Sequence, residues 1–193
     1  MELHLIEVAG RIRALREIMD ITAEEMAEFT GVSIAEYKTL ENGEADFSFT
    51  FLYKCAKRFG VDLMEIVTGE KPKLSFYNIV RKGGGGLPIK RAHSFEYLHL
   101  APLMKDKLAE PFLVTAPYEE AQQRQPIELA THQGQEMDFI LEGSLKVQME
   151  DHIEILNEGD SIYYDSGHKH GMIAVGGKEC KFLAVVMKSR EEN

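Results

Sequence analysis

The chain has 193 residues, 44% of them apolar and 28% charged, which supplies material for a packed core and excludes an intrinsically disordered chain. Its 22 basic against 32 acidic side chains leave a formal charge of −10, which opposes indiscriminate polyanion binding but permits a local DNA-contacting face. Two cysteines, Cys55 and Cys180, are too few for a disulfide framework or a four-thiolate metal site and read as buried thiols. No apolar run approaches the roughly 18 residues of a membrane span, and acids and arginines stand where a signal peptide needs its apolar core, so a cytoplasmic protein without membrane association is expected.

Up to about residue 70 the apolar positions recur at helical spacing, and from about residue 110 they alternate at the period of strands. Residues 71–90, with Pro72 and the run Gly83 to Gly86, read as the linker between a domain over 1–70 and another over 91–193. Five short helices are expected in the first. Ile12, Leu15, Ile18 and Met19 form an apolar stripe on helix 1. Thr22 with Glu25, Ser33 with Glu36 and Asp62 with Glu65 are candidate capping boxes opening helices 2, 3 and 5, and Ser48 caps the fourth. The three-residue break at Gly31 between helices 2 and 3 is the local signature of a helix-turn-helix.

The residues Gly10 to Arg16, Thr22 to Ala27, Gly31 to Ser33, Leu40 to Gly43 and Ala56 to Val61 together resemble the lambda repressor/Cro-like (XRE-family) helix-turn-helix proteins across residues 8–68. The resemblance implies a buried ion pair between Arg16 on helix 1 and Glu41 at the end of the recognition helix. It also implies DNA as a partner, read by a homodimer. Ser33, Ile34, Ala35, Lys38, Thr39 and Asn42 are the candidate groove or backbone contacts. Among them Lys38 alone is cationic, and residues 1–70 hold 7 Lys plus Arg against 14 Asp plus Glu, so the counterion-release contribution per subunit is small. A dimer doubles those contacts, and Ile34 or Ala35 can meet thymine methyls. The alternative is a helix-turn-helix kept for packing or dimerisation.

In the second half, strands are expected at 112–116, 127–130, 139–141, 145–149, 153–156, 161–164, 172–175 and 182–187, with turns at Glu142-Gly143, Glu150-Asp151 and Asn157 to Asp160. Many short strands joined tightly define a sandwich or barrel. The spacing of His132, Glu136 and Gly143, followed by Gly159-Asp160, Gly167 and His170, resembles the two cupin motifs over residues 110–188. The fold expected is therefore α+β multidomain, a five-helix helix-turn-helix bundle followed by a cupin β-barrel (double-stranded β-helix).

That resemblance implies a metal site of His132, Glu136 and His170, with Ala130 where metal-binding cupins carry a further histidine. Two imidazoles and one carboxylate suit Fe(II) with open positions, or Zn(II) with water as fourth ligand. His168, two residues from His170, competes with it as a ligand or rim group if that strand is extended. Asp138, two residues beyond Glu136, either points into the barrel and binds something polar or is turned to water by a bulge. Tyr97, His99, Phe112, Tyr163 and Tyr164 are candidate pocket-wall residues.

The whole chain is similar to bacterial transcription regulators in which a C-terminal cupin senses a small-molecule effector or a divalent metal. The alternative is a mononuclear non-haem metal enzyme, an oxygenase resembling the iron-dependent hydroxypropylphosphonate epoxidases, with the helix-turn-helix retained for structure. Asp20 falls where those epoxidases send a lysine toward substrate, and His99 takes the place of one pocket tyrosine. A negative Asp20 repels a phosphonate.

Overall fold

A computed structural model describes residues 5–70, 77–83, 86–89 and 95–189. The chain divides into two compact units, residues 1–78 with 102–106 and residues 79–101 with 107–193. Pro72, Gly84 and Gly85 of the expected linker lie outside the described residues.

The first unit contains α1 (Leu5–Ile18), α2 (Ala23–Thr30), α3 (Ile34–Glu41), α4 (Phe49–Phe59) and α5 (Leu63–Thr68). The expected start signals act. Thr22 and Asp62 each form a complete capping box, with Glu25 and Glu65 bonding back to the cap backbone. Ser48 accepts the Phe51 N–H at 2.9 Å. Ser33 caps α3 by accepting the Glu36 N–H at 3.1 Å, without the reciprocal bond that the sequence pattern suggested. Gly31, at φ 77°, ends α2 in the left-handed conformation and turns the chain toward α3. Tyr37, Phe47, Phe51, Leu52, Met26 and Ile12 make the centre of the core. The expected stripe on helix 1 needs correction: Val8, Ala9 and Ile12 are its buried face, whereas Ile18 and Met19, at and beyond the last turn, are exposed.

The second unit is built from nine strands among the described residues: β1 (Leu87–Ile89), β2 (Glu96–His99), β3 (Ala109–Ala116), β4 (Gln135–Glu142), β5 (Ser144–Met149), β6 (His152–Asn157), β7 (Ser161–Asp165), β8 (His170–Val175) and β9 (Cys180–Met187). They form an antiparallel six-stranded sheet, β1-β2-β3-β9-β4-β7, and a three-stranded sheet, β6-β5-β8. The inward sides of β3, β9 and β4 alternate with their outward sides at every residue, which places Phe112, Val114, Phe182, Ala184, Val186 and Ile140 in the interior. Residues 127–130, expected as a strand, make only one bridge, between Ala130 and His170. The chain there instead lies against β8, where an added Cβ at Gly171 would sit 2.2 Å from the Glu128 carbonyl oxygen. Both cysteine thiols are buried and unpaired, and no helix among the described residues is long and apolar enough to cross a membrane.

Candidate metal centre and candidate nucleic-acid interface

Three segments bring His132, Glu136 and His170 together. His170 opens β8, and its backbone exchanges both hydrogen bonds with Ala130, at 2.9 and 3.0 Å. His132, two residues later, is pinned by its N–H to the Ser166 carbonyl at 2.9 Å. Gly134 then takes φ 107°, a conformation open to glycine, and an added Cβ would meet the Met187 carbonyl oxygen at 2.0 Å. That close passage delivers the chain into β4, where Glu136 faces inward opposite Val186 and Tyr164.

One ligand atom from each of the three residues lies within 4.8 Å of the others, and all three side chains are buried. His132 Nε2 is 3.1 Å from Glu136 Oε2, and the two imidazole rings stand edge to face with centroids 5.1 Å apart. His170 Nδ1 meets the His168 carbonyl at 2.8 Å. A carbonyl only accepts, so Nδ1 carries the proton and Nε2 keeps a free lone pair, as a metal-ligating imidazole requires. Burial lowers the His170 pKa, which favours the neutral ligand form. The donor set, its closeness and its fixed tautomer fit a divalent ion.

The wall residues sort by sheet register. His99 pairs with Phe112, Phe112 with Ala184, and Ala184 with Asp138, so these four form one inward row across β2, β3, β9 and β4. Tyr97 packs edge-on against Phe112 with centroids 5.9 Å apart. Asp138 is fully buried and inward, and the register shift in β4 falls beyond it, between Ile140 and Glu142, so no bulge turns it to water. Its Oδ2 accepts from the Tyr164 hydroxyl at 3.5 Å, and a side-chain hydrogen bond links the carboxyl to Glu136. Burial, followed by the neighbouring Glu136 charge, holds the Asp138 carboxyl well above the usual carboxylate range.

Two expected pocket residues do not face the pocket. Tyr163 points outward, its hydroxyl donating to Gln135 Oε1 at 2.6 Å; its neighbour Tyr164 is the inward one, with its ring centroid 5.0 Å from that of His170. His168 lies in the turn before β8 rather than in an extended strand, so its exposed ring turns outward, 3.5 Å from Glu150. One cluster went unnoticed in the sequence. Glu110 Oε2 is 2.5 Å from His99 Nε2 and 3.7 Å from Lys107 Nζ, with all three side chains buried. The Ala101 N–H donates to His99 Nδ1 at 2.9 Å, so Nε2 carries the proton given to Glu110.

In the helical unit, Ser33, Ile34, Ala35, Lys38 and Asn42 are exposed along one side of α3 and its ends, while Thr39 is half-buried and donates its hydroxyl to the Ala35 carbonyl at 3.1 Å. Several of these groups already have partners. Ser33 Oγ caps α3, Lys38 Nζ stands 3.8 Å from Glu24, and Asn42 Oδ1 accepts from Arg13 at 2.6 Å. Arg13 of α1, half-exposed and absent from the sequence-derived set, reaches Glu41 and Asn42 at the end of α3 and brings a second cation there. The pair implied for Arg16 and Glu41 is formed: Arg16 Nε and a terminal nitrogen donate to the two Glu41 oxygens at 2.6 and 3.2 Å.

Comparison with known proteins agrees with both halves. A helix-turn-helix family model matches residues 12–66 and a cupin domain model matches residues 118–186. The first unit is a helix-turn-helix domain of the XRE-like kind and the second is a cupin, so the chain joins the two classes in one polypeptide. Among solved structures it is similar to an HTH_3 family transcriptional regulator from Vibrio cholerae, with TM-score 0.68 and 21% identity over 96% of this chain and 97% of that one. It is also similar to the FeII HppE structure, with TM-score 0.50 and 19% identity over 95% and 99%. Hydroxypropylphosphonic acid epoxidase from S. wedmorenis gives TM-score 0.48 and 19% identity over 97% and 100%. At these identities the likenesses establish the fold alone. No curated protein matches the chain.

Proposed function

We propose that the protein is a DNA-binding transcriptional regulator whose cupin domain is its sensor, acting as a cytoplasmic homodimer on an operator. The observation that carries this reading is the convergence of His132, Glu136 and His170, in a chain that also holds a helix-turn-helix domain. His132, His170 and the Glu136 carboxylate would hold a divalent metal, Fe(II) or Zn(II) by donor type. When bound, that ion would supply a Lewis-acidic centre. Around it the chain's own residues do the selecting: His170 is fixed through His168, and Tyr164, Asp138 and Phe112 shape the adjoining wall. The effector alters DNA affinity only through unequal affinity for two arrangements of the dimer. Ser33, Ile34, Ala35, Lys38, Thr39 and Asn42 face the operator.

The test pairs metal analysis with DNA titration. The purified protein is expected to hold one ion per chain, lost in both His132→Ala and Glu136→Ala. Fluorescence anisotropy against DNA from upstream of its own gene is expected to show salt-sensitive binding that changes on metal removal. A metal-free native protein, together with no DNA binding at low ionic strength, overturns the reading.

A further inference from the structure

Met137 and Phe139 alternate with the inward Glu136, Asp138 and Ile140 along β4, so they point out of the barrel, where they are 38% and 37% exposed. Tyr163, opposite Met137 on β7, is 58% exposed. On the other side of β4 the register sets Val185 beside Met137 and Leu183 beside Phe139. The outward face is therefore apolar across three neighbouring strands. Charges lie at its two ends, at Asp165 opposite Gln135 and at Lys181 opposite Glu142. An antiparallel sheet with one solvated face ordinarily alternates apolar inside with polar outside, whereas a near-continuous apolar run marks a strand covered on both faces. The run from Phe182 to Met187 in β9 is of the second kind. Ile153 and Ile155 of β6 are exposed too, but they face Gln148 and Lys146 across their register, so that sheet presents no comparable uncharged area.

We propose that this outward face of β7, β4 and β9 is the contact between two copies of the chain, packed sheet on sheet about a two-fold axis with Met137 and Phe139 at its centre. The inference rests on the homodimeric regulator reading above and names the surface that makes the dimer. A chain of net charge −10 repels its own copies over most of its surface, and two copies approach at least cost where no charge is carried. In an isologous contact the same patch meets itself, so a charged patch would oppose its own charge and an uncharged one does not. Phe, Tyr and Met are the side chains enriched at interface centres, where Lys and Glu are depleted. The size also suits a second copy. With β3 included, four strands about 4.8 Å apart and up to eight residues long span a face of roughly 20 by 25 Å, the scale of a contact burying about 800 Å² per partner. Glu136 and the dimer contact then occupy opposite faces of one strand.

Sedimentation velocity of the full-length protein at micromolar concentration is expected to give a dimer, twice the mass of the 21.8 kDa chain. Phe139→Glu and Tyr163→Glu set like charges against each other across the axis and are each expected to raise the dimer dissociation constant at least a hundred-fold. Ile155→Glu, at a similarly exposed position on the other sheet, is expected to leave it within three-fold. Cross-linking gives a second measure that needs no loss of stability. Cys55 and Cys180 are buried, so a short bismaleimide is expected to join two chains of Phe139→Cys and to leave wild-type and Ile155→Cys chains single. The proposal is overturned by a monomeric wild type, by a dimer that tolerates both glutamates, or by Ile155→Glu dissociating as readily as they do. A glutamate variant that fails to fold leaves the decision to the cross-link, whose absence in Phe139→Cys overturns the proposal too. If the wild type still dimerises and binds DNA in a salt-sensitive manner, the regulator reading survives and the contact lies on another surface.

Discussion

Breaking the Arg16–Glu41 pair from one side should bring the helix-turn-helix domain close to unfolding. Glu41 is 7% exposed, and its carboxylate accepts from Arg16 at 2.6 and 3.2 Å and from the Tyr37 hydroxyl at 3.1 Å. Removing one partner of a buried, hydrogen-bonded ion pair costs about 3 to 5 kcal/mol, because the survivor stays desolvated and unpaired. Arg16, 15% exposed, retains its bond to the Ile21 carbonyl and reaches some water, so Glu41→Ala falls near the lower end, about 3 kcal/mol. Domain stabilities are about 5 to 15 kcal/mol, so this is a large share for a unit of this size. Replacing both partners, as Arg16→Met with Glu41→Leu, removes the unpaired charge and should cost less than the sum of the single changes by about 1 to 3 kcal/mol. Urea unfolding followed by circular dichroism at 222 nm reads this unit, since the five α-helices described all belong to it. Single variants each costing under about 1 kcal/mol, or strictly additive costs, would refute the reasoning.

Other expectations follow from local geometry. Glu25 accepts from the Thr22 backbone and hydroxyl at 2.7 and 2.8 Å, and those bonds lower its pKa. Its folded-state value is the depressed one, so the cap's contribution is present above the unfolded value of 4.5 and is lost as pH falls through the folded value. Glu25→Gln should therefore flatten the acid limb of the helical domain's melting profile; an unchanged limb contradicts the assignment. Gly134→Ala puts a methyl group against the Met187 carbonyl at positive φ between two metal-site residues. It should cost more than about 1 kcal/mol in thermal unfolding and weaken metal binding in a chelator competition, whereas wild-type behaviour in both would show that this close passage is not needed. Lys38→Ala should weaken operator binding uniformly across sequences and reduce the salt slope by about 2 in a dimer, one phosphate contact per subunit. An unaltered slope would assign Lys38 to Glu24 instead.

The parts of this molecule that the sequence announces are those decided within a few residues. Thr22, Ser48, Asp62 and Gly31 act over a single helical turn, so their chemistry fixes the helix boundaries whatever packs on them. The alternation in β3, β4 and β9 is equally local, and the motif spacing carried His132, Glu136 and His170 to one site. The failures share a different cause. Tyr163 and Tyr164 are alike in composition, and only the pairing of Tyr164 with Glu136 settles which of them faces in. The strand period puts His168 on the face of His170, but His168 stands in the turn before β8, where that period does not hold. Ile127 to Ala130 has apolar residues at its ends, yet Pro126 lacks an N–H to offer a ladder and Gly171 lets the segment approach β8 without pairing along it.

The Glu110 cluster shows why some of the interior had no sequence signal. Glu110 and His99 are 11 residues apart, with His99 opposite Phe112 in the β2–β3 register, so the acid reaches it diagonally across two strands. Lys107, just before β3, approaches the same Glu110 oxygen at 3.7 Å. Glu110 and Lys107 alone read as ordinary surface charges and His99 as a wall residue, and only sheet register converts the three into a mutually compensated buried group. Asp138 shares the row of His99, but its charged neighbour is another acid, Glu136, and no base faces it across that register. Two buried carboxyls on the same barrel wall thus meet different fates. Glu110 is satisfied by the His99 proton and the Lys107 ammonium, whereas Asp138, set beside the Glu136 carboxylate and buried, is held well above the usual carboxylate range and so is an acid that keeps its proton rather than half of an ion pair.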